Sequence, residues 1–333
     1  MKNYRTYIGI DVAKLTLDYC LLTQDPQLEQ GQILNTQKSV DKFLKTLKKT
    51  GCQMNETLFV FENTGIYSSL LALVLSENSL DYAQVPALEI KRSLGITRGK
   101  SDKVDAKEIA HYAKRNTDKI ALSTLPELSL QQLKIVFAER EKTVAAIKTF
   151  ERTKENEMFL TKEVFNSVKA INNQTVKHLK KQLVMLDEKI RTLIREDENL
   201  YGQQQLLKSI PGIGDITSVY ILMATKGFTA FTSGRKFACY SGVAPFEHSS
   251  GTSIKGKTRV SHLADKKMKT LLHMASLTAI KYDPELKDYY NRKKAEGKHT
   301  MLVLNNIKCK MVYRIFAVIQ RKSNFVNLHK FAA

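Results

Sequence analysis

Residues 7–22 read YIGIDVAKLTLDYCLL. Tyr7–Val12 is short, apolar and rich in residues that favour strands. Thr16–Leu22 resumes that character after a tight turn, so the two segments predict a β-hairpin. Working outward, Gly31–Leu34 extends the pattern as a third strand. Ser39–Thr50 is amphipathic and predicts a helix with Ser39 as its N-cap. Leu58–Glu62 (LFVFE) is a buried-type strand that ends in an acid, Ile66–Ser76 a helix, Tyr82–Val85 a short strand and Lys103–Arg115 a helix. An antiparallel start followed by β/α alternation predicts an α/β domain on a mixed sheet over residues 1–125.

Residues 127–200 contain no Gly and no Pro. Apolar positions recur at three- and four-residue spacing, as in Leu183, Leu186, Ile190 and Leu193. This predicts two long helices over 126–200, with a break near Asn172 and Asn173, forming a coiled-coil arm that joins subunits or spaces domains. From residue 201 to 333 glycines return and the pattern is mainly helical. The expected organisation is therefore three parts, 1–125, 126–200 and 201–333.

The chain has 333 residues, 43% of them hydrophobic, which excludes global disorder. Its formal net charge is +20. Residues 201–333 carry 22 basic and seven acidic side chains. Such an excess is out of place in a monomeric enzyme for small neutral substrates, and it suits a polyanion. The four cysteines, at 20, 52, 239 and 309, form no CxxC pair, which excludes a zinc ribbon or thioredoxin motif. The start lacks the apolar core of a signal peptide, and no run of 18 apolar residues exists. A reducing cytoplasm and no membrane association are expected.

Four acids stand out: Asp11 inside the first strand, Glu62 at the end of another, and Asp102 and Asp105 three residues apart at a helix start. Singly, each has a plain explanation, as strand ends reaching water or as charges complementing a helix dipole. Together, four carboxylates at one sheet end form an oxygen-rich pocket suited to two Mg²⁺ ions and to phosphoryl transfer.

Further on, Pro211-Gly212-Ile213-Gly214 lies between helical segments. It reads as a helix-hairpin-helix whose Gly212 and Gly214 offer backbone N–H groups to a phosphate, or as an ordinary helix–helix turn. Gly251–Thr258 (GTSIKGKT) matches the P-loop pattern by letter. The preceding APFEHSS is no buried strand and no Walker-B acid follows, so NTP binding at this P-loop-like stretch is rejected. What remains is a Gly/Ser/Lys loop in which Ser249, Ser250 and Ser253 sit among Lys255, Lys257 and Arg259. Its serines suit a phosphate contact, or attack on a phosphate if something activates them. The seven histidines are dispersed, and His248 beside the serine pair reads as a surface residue. Lys266, Lys267, Lys269, Arg292, Lys293, Lys294, Lys298, Lys308, Lys310 and Arg314, interleaved with Tyr282, Tyr289 and Tyr290, suit a nucleic-acid face.

YIGIDVAK, FENTGIY, SDKVDAKEIA, LLKSIPGIGDITS and YSGVAPFEHSSGTSIKGKTRVS, taken together and in order, resemble the DEDD transposases of the "one-ten" group of bacterial insertion sequences. The resemblance implies a RuvC-like, ribonuclease-H-type first domain whose acids, here Asp11, Glu62, Asp102 and Asp105, bind Mg²⁺. It implies a C-terminal transposase domain with a serine that attacks DNA, placed on Ser250 before Gly251, with Ser249 as its neighbour in contention. It further implies a noncoding bridge RNA that pairs with donor and target DNA, a tetramer, and a bacterial cytoplasmic location. The expected activity is RNA-guided DNA transposition or recombination through a serine-linked intermediate. Two alternatives stay open: a RuvC-like nuclease or Holliday-junction resolvase using water, and a non-catalytic nucleic-acid-binding protein.

Overall fold

The computed structural model describes residues 2–23, 28–93, 102–250, 254–260 and 263–327. The chain divides into two compact units, Met1–Leu125 and Pro126–Ala333.

In the first unit, β1 (Thr6–Val12), β2 (Thr16–Leu22), β3 (Leu28–Leu34), β4 (Thr57–Glu62) and β5 (Tyr82–Val85) form one sheet in the order β3-β2-β1-β4-β5. The first three strands are antiparallel neighbours, and β4 and β5 add in parallel. The mixed sheet is as expected, but β3 is longer than its apolar stretch. It pairs along its whole length, from Leu28 opposite Leu22 to Leu34 opposite Thr16. Ladder hydrogen bonds hold LEQG there without an apolar signal.

Apolar alternation sorts the two faces. Ile8, Ile10, Leu17, Phe59 and Phe61 point to α1 (Gln37–Lys49) and α2 (Ser69–Glu77). Fully burying such a side chain contributes roughly 1.5–3 kcal/mol. Tyr7, Cys20, Leu58 and Val60 point to α4 (Asp102–Arg115), and α3 (Ala87–Ser93) adds Ile90 beside them. Helix α1 is capped by Thr36, whose side chain accepts from the Ser39 N–H at 3.4 Å, so Ser39 is not the cap. Helix α3 gave no sequence signal, because seven residues bury a single apolar side chain.

Helix α4 lies unusually close to β1. A Cβ on Gly9 would stand 2.2 Å from the Ala110 nitrogen and 2.4 Å from the Ala106 oxygen. Glycine in β1 and alanines 106, 110 and 113 in α4, all fully buried, let the two backbones meet. Thr117, just past the end of α4, bonds the Tyr7 hydroxyl at 3.1 Å. The helix therefore runs antiparallel to β1, with its N-terminus at the C-terminal end of the strand.

The second unit is mainly helical. Helices α5 (Leu128–Arg152) and α6 (Lys162–Arg195) pack antiparallel, with Arg140 on Asp187 at 2.6 Å and Lys180 on Glu151 at 2.7 Å. The expected break near Asn172 and Asn173 is absent, and the reversal comes at 153–161 instead. Asparagine inside a helix costs well under ~1 kcal/mol, and the Asn172 amide is used, donating to Thr153 Oγ1 at 3.1 Å. Leu133 and Phe137 of α5 and Leu193 and Ile194 of α6 enter one core with α7 (Glu198–Lys208), α8 (Asp215–Thr225), α9 (Gly234–Tyr240), α10 (Lys266–Tyr282), α11 (Pro284–Ala295) and α12 (Thr300–Arg321). The long pair is thus rooted in the helical body. Between α9 and α10, β6 (Pro245–Ser250) and β7 (Ile254–Val260) form a separate two-stranded ribbon.

Candidate active site

Register alone gathers the first acids. Strands β1 and β4 are paired in parallel up to Ile10 beside Phe61, so Asp11 and Glu62 are the next residues on neighbouring strands. Alternation puts both on the face that Tyr7, Leu58 and Val60 turn towards α4. On the other side of Asp11, its cross-strand partner is Asp18, which in turn lies opposite Gln32 of β3. One polar row therefore crosses four strands, Glu62–Asp11–Asp18–Gln32. Asp18 is 3% exposed, and Gln32 Nε2 donates to both its oxygens, at 3.1 and 3.0 Å.

The N-terminus of α4 arrives at this end of the sheet because Gly9 admits the helix. Asp105, in its first turns, is half-buried and immediately precedes Ala106, one of the residues against Gly9. Asp102 is the first residue of α4, and its side chain lies outside the described set. One turn further on, burial and the neighbouring Asp105 charge push the Glu108 carboxyl above its ordinary pKa. Among the described residues no group of three or more His, Cys, Asp or Glu side chains stands close enough to hold a metal ion. The donor set is nonetheless oxygen-rich and of the kind Mg²⁺ takes.

Asn35 braces the edge of this region. Its side-chain amide donates to the Ala13 carbonyl just after β1 and to the Tyr67 carbonyl after β4, both at 3.0 Å. After Glu62 the chain turns through Gly65 at φ 71°, a left-handed position that glycine occupies without strain.

In the second unit, Ser250 ends β6 opposite Ile254, and Ser249 is opposite Lys255. The expected loop is a strand ribbon with a register shift between Phe246 and His248. Lys255, Lys257 and Arg259 lie on β7. Their side chains, those of Ser249 and Ser250, and residues 251–253 lie outside the described set. The P-loop-like letters run into a strand and not a helix, so the arrangement that motif requires is missing. Gly212 and Gly214 part company. Gly212, at φ 95°, has the Ala275 carbonyl of α10 at 2.3 Å from where a Cβ would be, so helix packing takes it up. Gly214 faces open space as the N-cap of α8, although Asp215 beside it pairs with Lys208 at 2.6 Å.

Comparison with known proteins bears on the family of the chain. The model of the IS116/IS110/IS902 transposase family matches residues 204–291, and the model of the IS110-type DEDD transposases matches residues 8–156. The chain belongs to this family. The transposase is 28% identical over 326 residues to the pilin gene-inverting protein of Moraxella lacunata, covering 96% of this chain and 98% of that protein. It is 33% identical over 134 residues to an uncharacterized 42 kDa protein of insertion element IS900 from Mycobacterium paratuberculosis, covering 39% of this chain and 33% of that one. Among solved structures, Thermus thermophilus RuvC aligns with 35% of this chain and 99% of its own, at 10% identity and a TM-score of 0.26. No helix among the described residues of the transposase is long and apolar enough to cross a membrane.

Several residues around these sites carried no sequence signal of their role. Asp18 and Gln32 looked like ordinary strand positions. Asp265 caps α10, accepting from the Met268 N–H at 2.8 Å, and also takes the Tyr220 hydroxyl at 2.9 Å and the Tyr240 hydroxyl at 2.8 Å. The Asp265 N–H returns to the Tyr240 carbonyl at 2.9 Å. Burial, then the Asp265 charge, pushes the Tyr220 pKa well up, and burial with the Asp265 hydrogen bond does the same to Tyr240. This cluster ties together the two ends of the segment that carries the β6–β7 ribbon. The one available hint was an Asp directly before a helical run.

Proposed function

We propose that the chain is an RNA-guided DNA transposase with a RuvC-like first domain, working by Mg²⁺-dependent strand cleavage and exchange through a serine-linked intermediate. The observation that carries the reading is the meeting of Asp11 and Glu62 on adjacent parallel strands, on the face where α4 brings Asp102 and Asp105. Asp11, Glu62, Asp102 and Asp105 would hold the metal. When bound it supplies charge neutralisation at the scissile phosphodiester. Ser250 Oγ attacks the phosphorus, the bond to the 3′ oxygen breaks, and the serine proton ends on the released 3′-hydroxyl. That hydroxyl then attacks the serine–phosphate link on the partner DNA and returns the serine. The covalent link conserves the bond, so no nucleotide hydrolysis is required.

Lys255, Lys257 and Arg259 would hold the DNA backbone, and Gly214, more than Gly212, has room to approach a phosphate. The relative named for inverting a pilin gene, aligned along nearly the whole chain, supports a recombinase. Assembly as a tetramer through a coiled-coil arm is supported by Val164, Val168 and Ile171, exposed at successive turns of α6, and by exposed Met158 and Phe159. A bridge RNA and DNA are the expected partners, and the bacterial cytoplasm the expected location.

A covalent-adduct assay tests the reading. Protein, Mg²⁺, labelled element-end and target DNA and RNA transcribed from beside the gene are mixed and run on a denaturing gel. A slow, protease-sensitive DNA band lost with Ser250→Ala and with Asp102→Asn, and dependent on the RNA, is the expected result. A band lost with Ser249→Ala and kept with Ser250→Ala would move the nucleophile to the neighbouring serine. Cleavage without an adduct would replace the serine by water.

A further inference from the structure

A cavity of about 520 Å³ lies between the root of α5 and the helices that carry the ribbon. Phe137, Ala138, Tyr220, Met223, Ala224 and Tyr240 give it apolar and aromatic walls, and Lys134, Lys226 and Lys267 line it with charge. The size falls within the roughly 300–1,000 Å³ of small-molecule pockets.

The charges do not cancel. Glu141 is the carboxylate in the lining, and it is engaged by Lys267 and by Arg140 at 3.3 Å. Asp265, nearby, is engaged by the hydroxyls of Tyr220 and Tyr240 and by its capping bond. Among the described residues neither Lys134 nor Lys226 has an ion-pair partner. Lys134 lies on the exposed rim of the cavity, and partial desolvation of its ammonium, then the nearby Lys226 charge, holds it below its ordinary pKa. Two neighbouring ammonium groups without a counterion repel each other at an apolar cavity, an arrangement that an anion relieves.

The backbone adds an independent observation. Lys226 ends α8 in the left-handed conformation, at φ 49° and ψ 51°. Glycine or asparagine fills that position with less strain. That makes Lys226→Gly a substitution that removes the ammonium without straining the backbone.

We propose that this cavity binds a nucleotide unit: Lys134 and Lys226 hold its phosphate, and the Phe137, Tyr220 and Tyr240 walls take its base. Phosphate alone would leave the aromatic walls unused, and an apolar ring alone would leave the lysines unpaired. The nucleotide comes either free or as an unstacked residue of a strand. Because Tyr240 and Lys267 flank the ribbon segment, occupancy would be felt at the base of that segment. The inference does not depend on serine chemistry, and strand cleavage is not its readout.

Calorimetric titration of the full chain tests it, with AMP, adenosine and inorganic phosphate as separate probes. AMP should saturate and bind more tightly than either half. Lys134→Gln and Lys226→Gly should each weaken AMP about tenfold or more, the loss expected for one hydrogen bond to a charged group. Lys226→Gly should at the same time keep or raise the unfolding temperature, because glycine suits that conformation, so a loss of binding is not a loss of fold. Competition by a ten-nucleotide thymidine strand, and not by an abasic strand of equal length, would identify the strand as the source. Failure of the strand to displace AMP would identify the free nucleotide. No AMP binding, equal affinity for phosphate and AMP, or variants that bind like wild type would each overturn the proposal.

Discussion

Replacing Gly9 by alanine adds one methyl group at the place where the candidate active site is assembled. The new Cβ would lie 2.2 Å from the Ala110 nitrogen, 2.4 Å from the Ala106 oxygen and 2.8 Å from the Ala110 Cα. Every one of these atoms is backbone, so no side-chain rotation relieves the overlap. Restoring ordinary contact requires α4 and β1 to separate by about 1 Å, the scale on which dispersion contacts across a packed seam are forfeited. Overpacking of this kind costs about 1–3 kcal/mol. For a domain of this size that lowers the unfolding temperature by roughly 5–10 °C.

The separation falls on the helix that carries Asp102 and Asp105 towards Asp11 and Glu62. A misplacement of about 1 Å can cost around a hundredfold in rate. The expected outcome is a folded protein at 20 °C whose DNA cleavage, under the proposed function, is reduced about a hundredfold, read from thermal unfolding and single-turnover cleavage together. A second substitution, Ala110→Gly, should not rescue it, because the obstructing atoms are not those of the alanine side chain. Wild-type unfolding temperature and wild-type cleavage in Gly9→Ala would refute the reasoning outright.

Three further outcomes are expected. Asp283 is 1% exposed, caps α11 through the Leu286 N–H at 3.2 Å and is paired with Arg314, so Asp283→Ala should cost about 3–5 kcal/mol in calorimetric unfolding of the chain. Burial and the positive charges of Lys107, Arg115 and Lys114 lower the His111 pKa from 6.5. The folded state then disfavours the imidazolium, so stability should fall as pH drops below about 6.5 towards the folded pKa, and His111→Gln should flatten that slope in pH-dependent unfolding. Gly202 sits within α7 with nothing within 4 Å of a built Cβ, so Gly202→Ala should stabilise the chain by about 0.5–1 kcal/mol in denaturant titration.

The first-unit sheet was legible because its strands are apolar runs with a clear period, and its acids because they interrupt those runs. Gly9 was not legible in the same way. A glycine in a strand announces a close approach but does not name the approaching element, and Ala106 and Ala110 lie about a hundred residues away. HSSGTSIKGKT has no apolar alternation and so predicts a loop, whereas the pairing of β6 with β7 rests on ladder hydrogen bonds. Asn172 predicts a break, yet within a 34-residue helix one asparagine is outvoted by its neighbours and finds a partner in Thr153. The Asp265 cluster joins Tyr220, Tyr240 and Asp265 across gaps of 25 and 45 residues that no local pattern spans.

The polar row under α4 bears on the metal site proposed at this end of the sheet. A sheet selected for stability alone would not set two carboxylates directly opposite each other. Asp11 and Asp18 stand cross-strand, and Asp18 is buried. Like charges at such a position destabilise a strand pair by up to about 1 kcal/mol, and burying a carboxylate adds a further cost. The fold offsets part of this through Gln32, which hydrogen-bonds both Asp18 oxygens. It places no comparable apolar residue where one would pack better. Gly9, two residues before Asp11, likewise gives up strand propensity to bring more acids to the same place. Local rules are thus broken twice within three residues of β1. Both departures bring carboxylate oxygen towards one end of the sheet, which is what the proposed divalent cation at a phosphodiester would require.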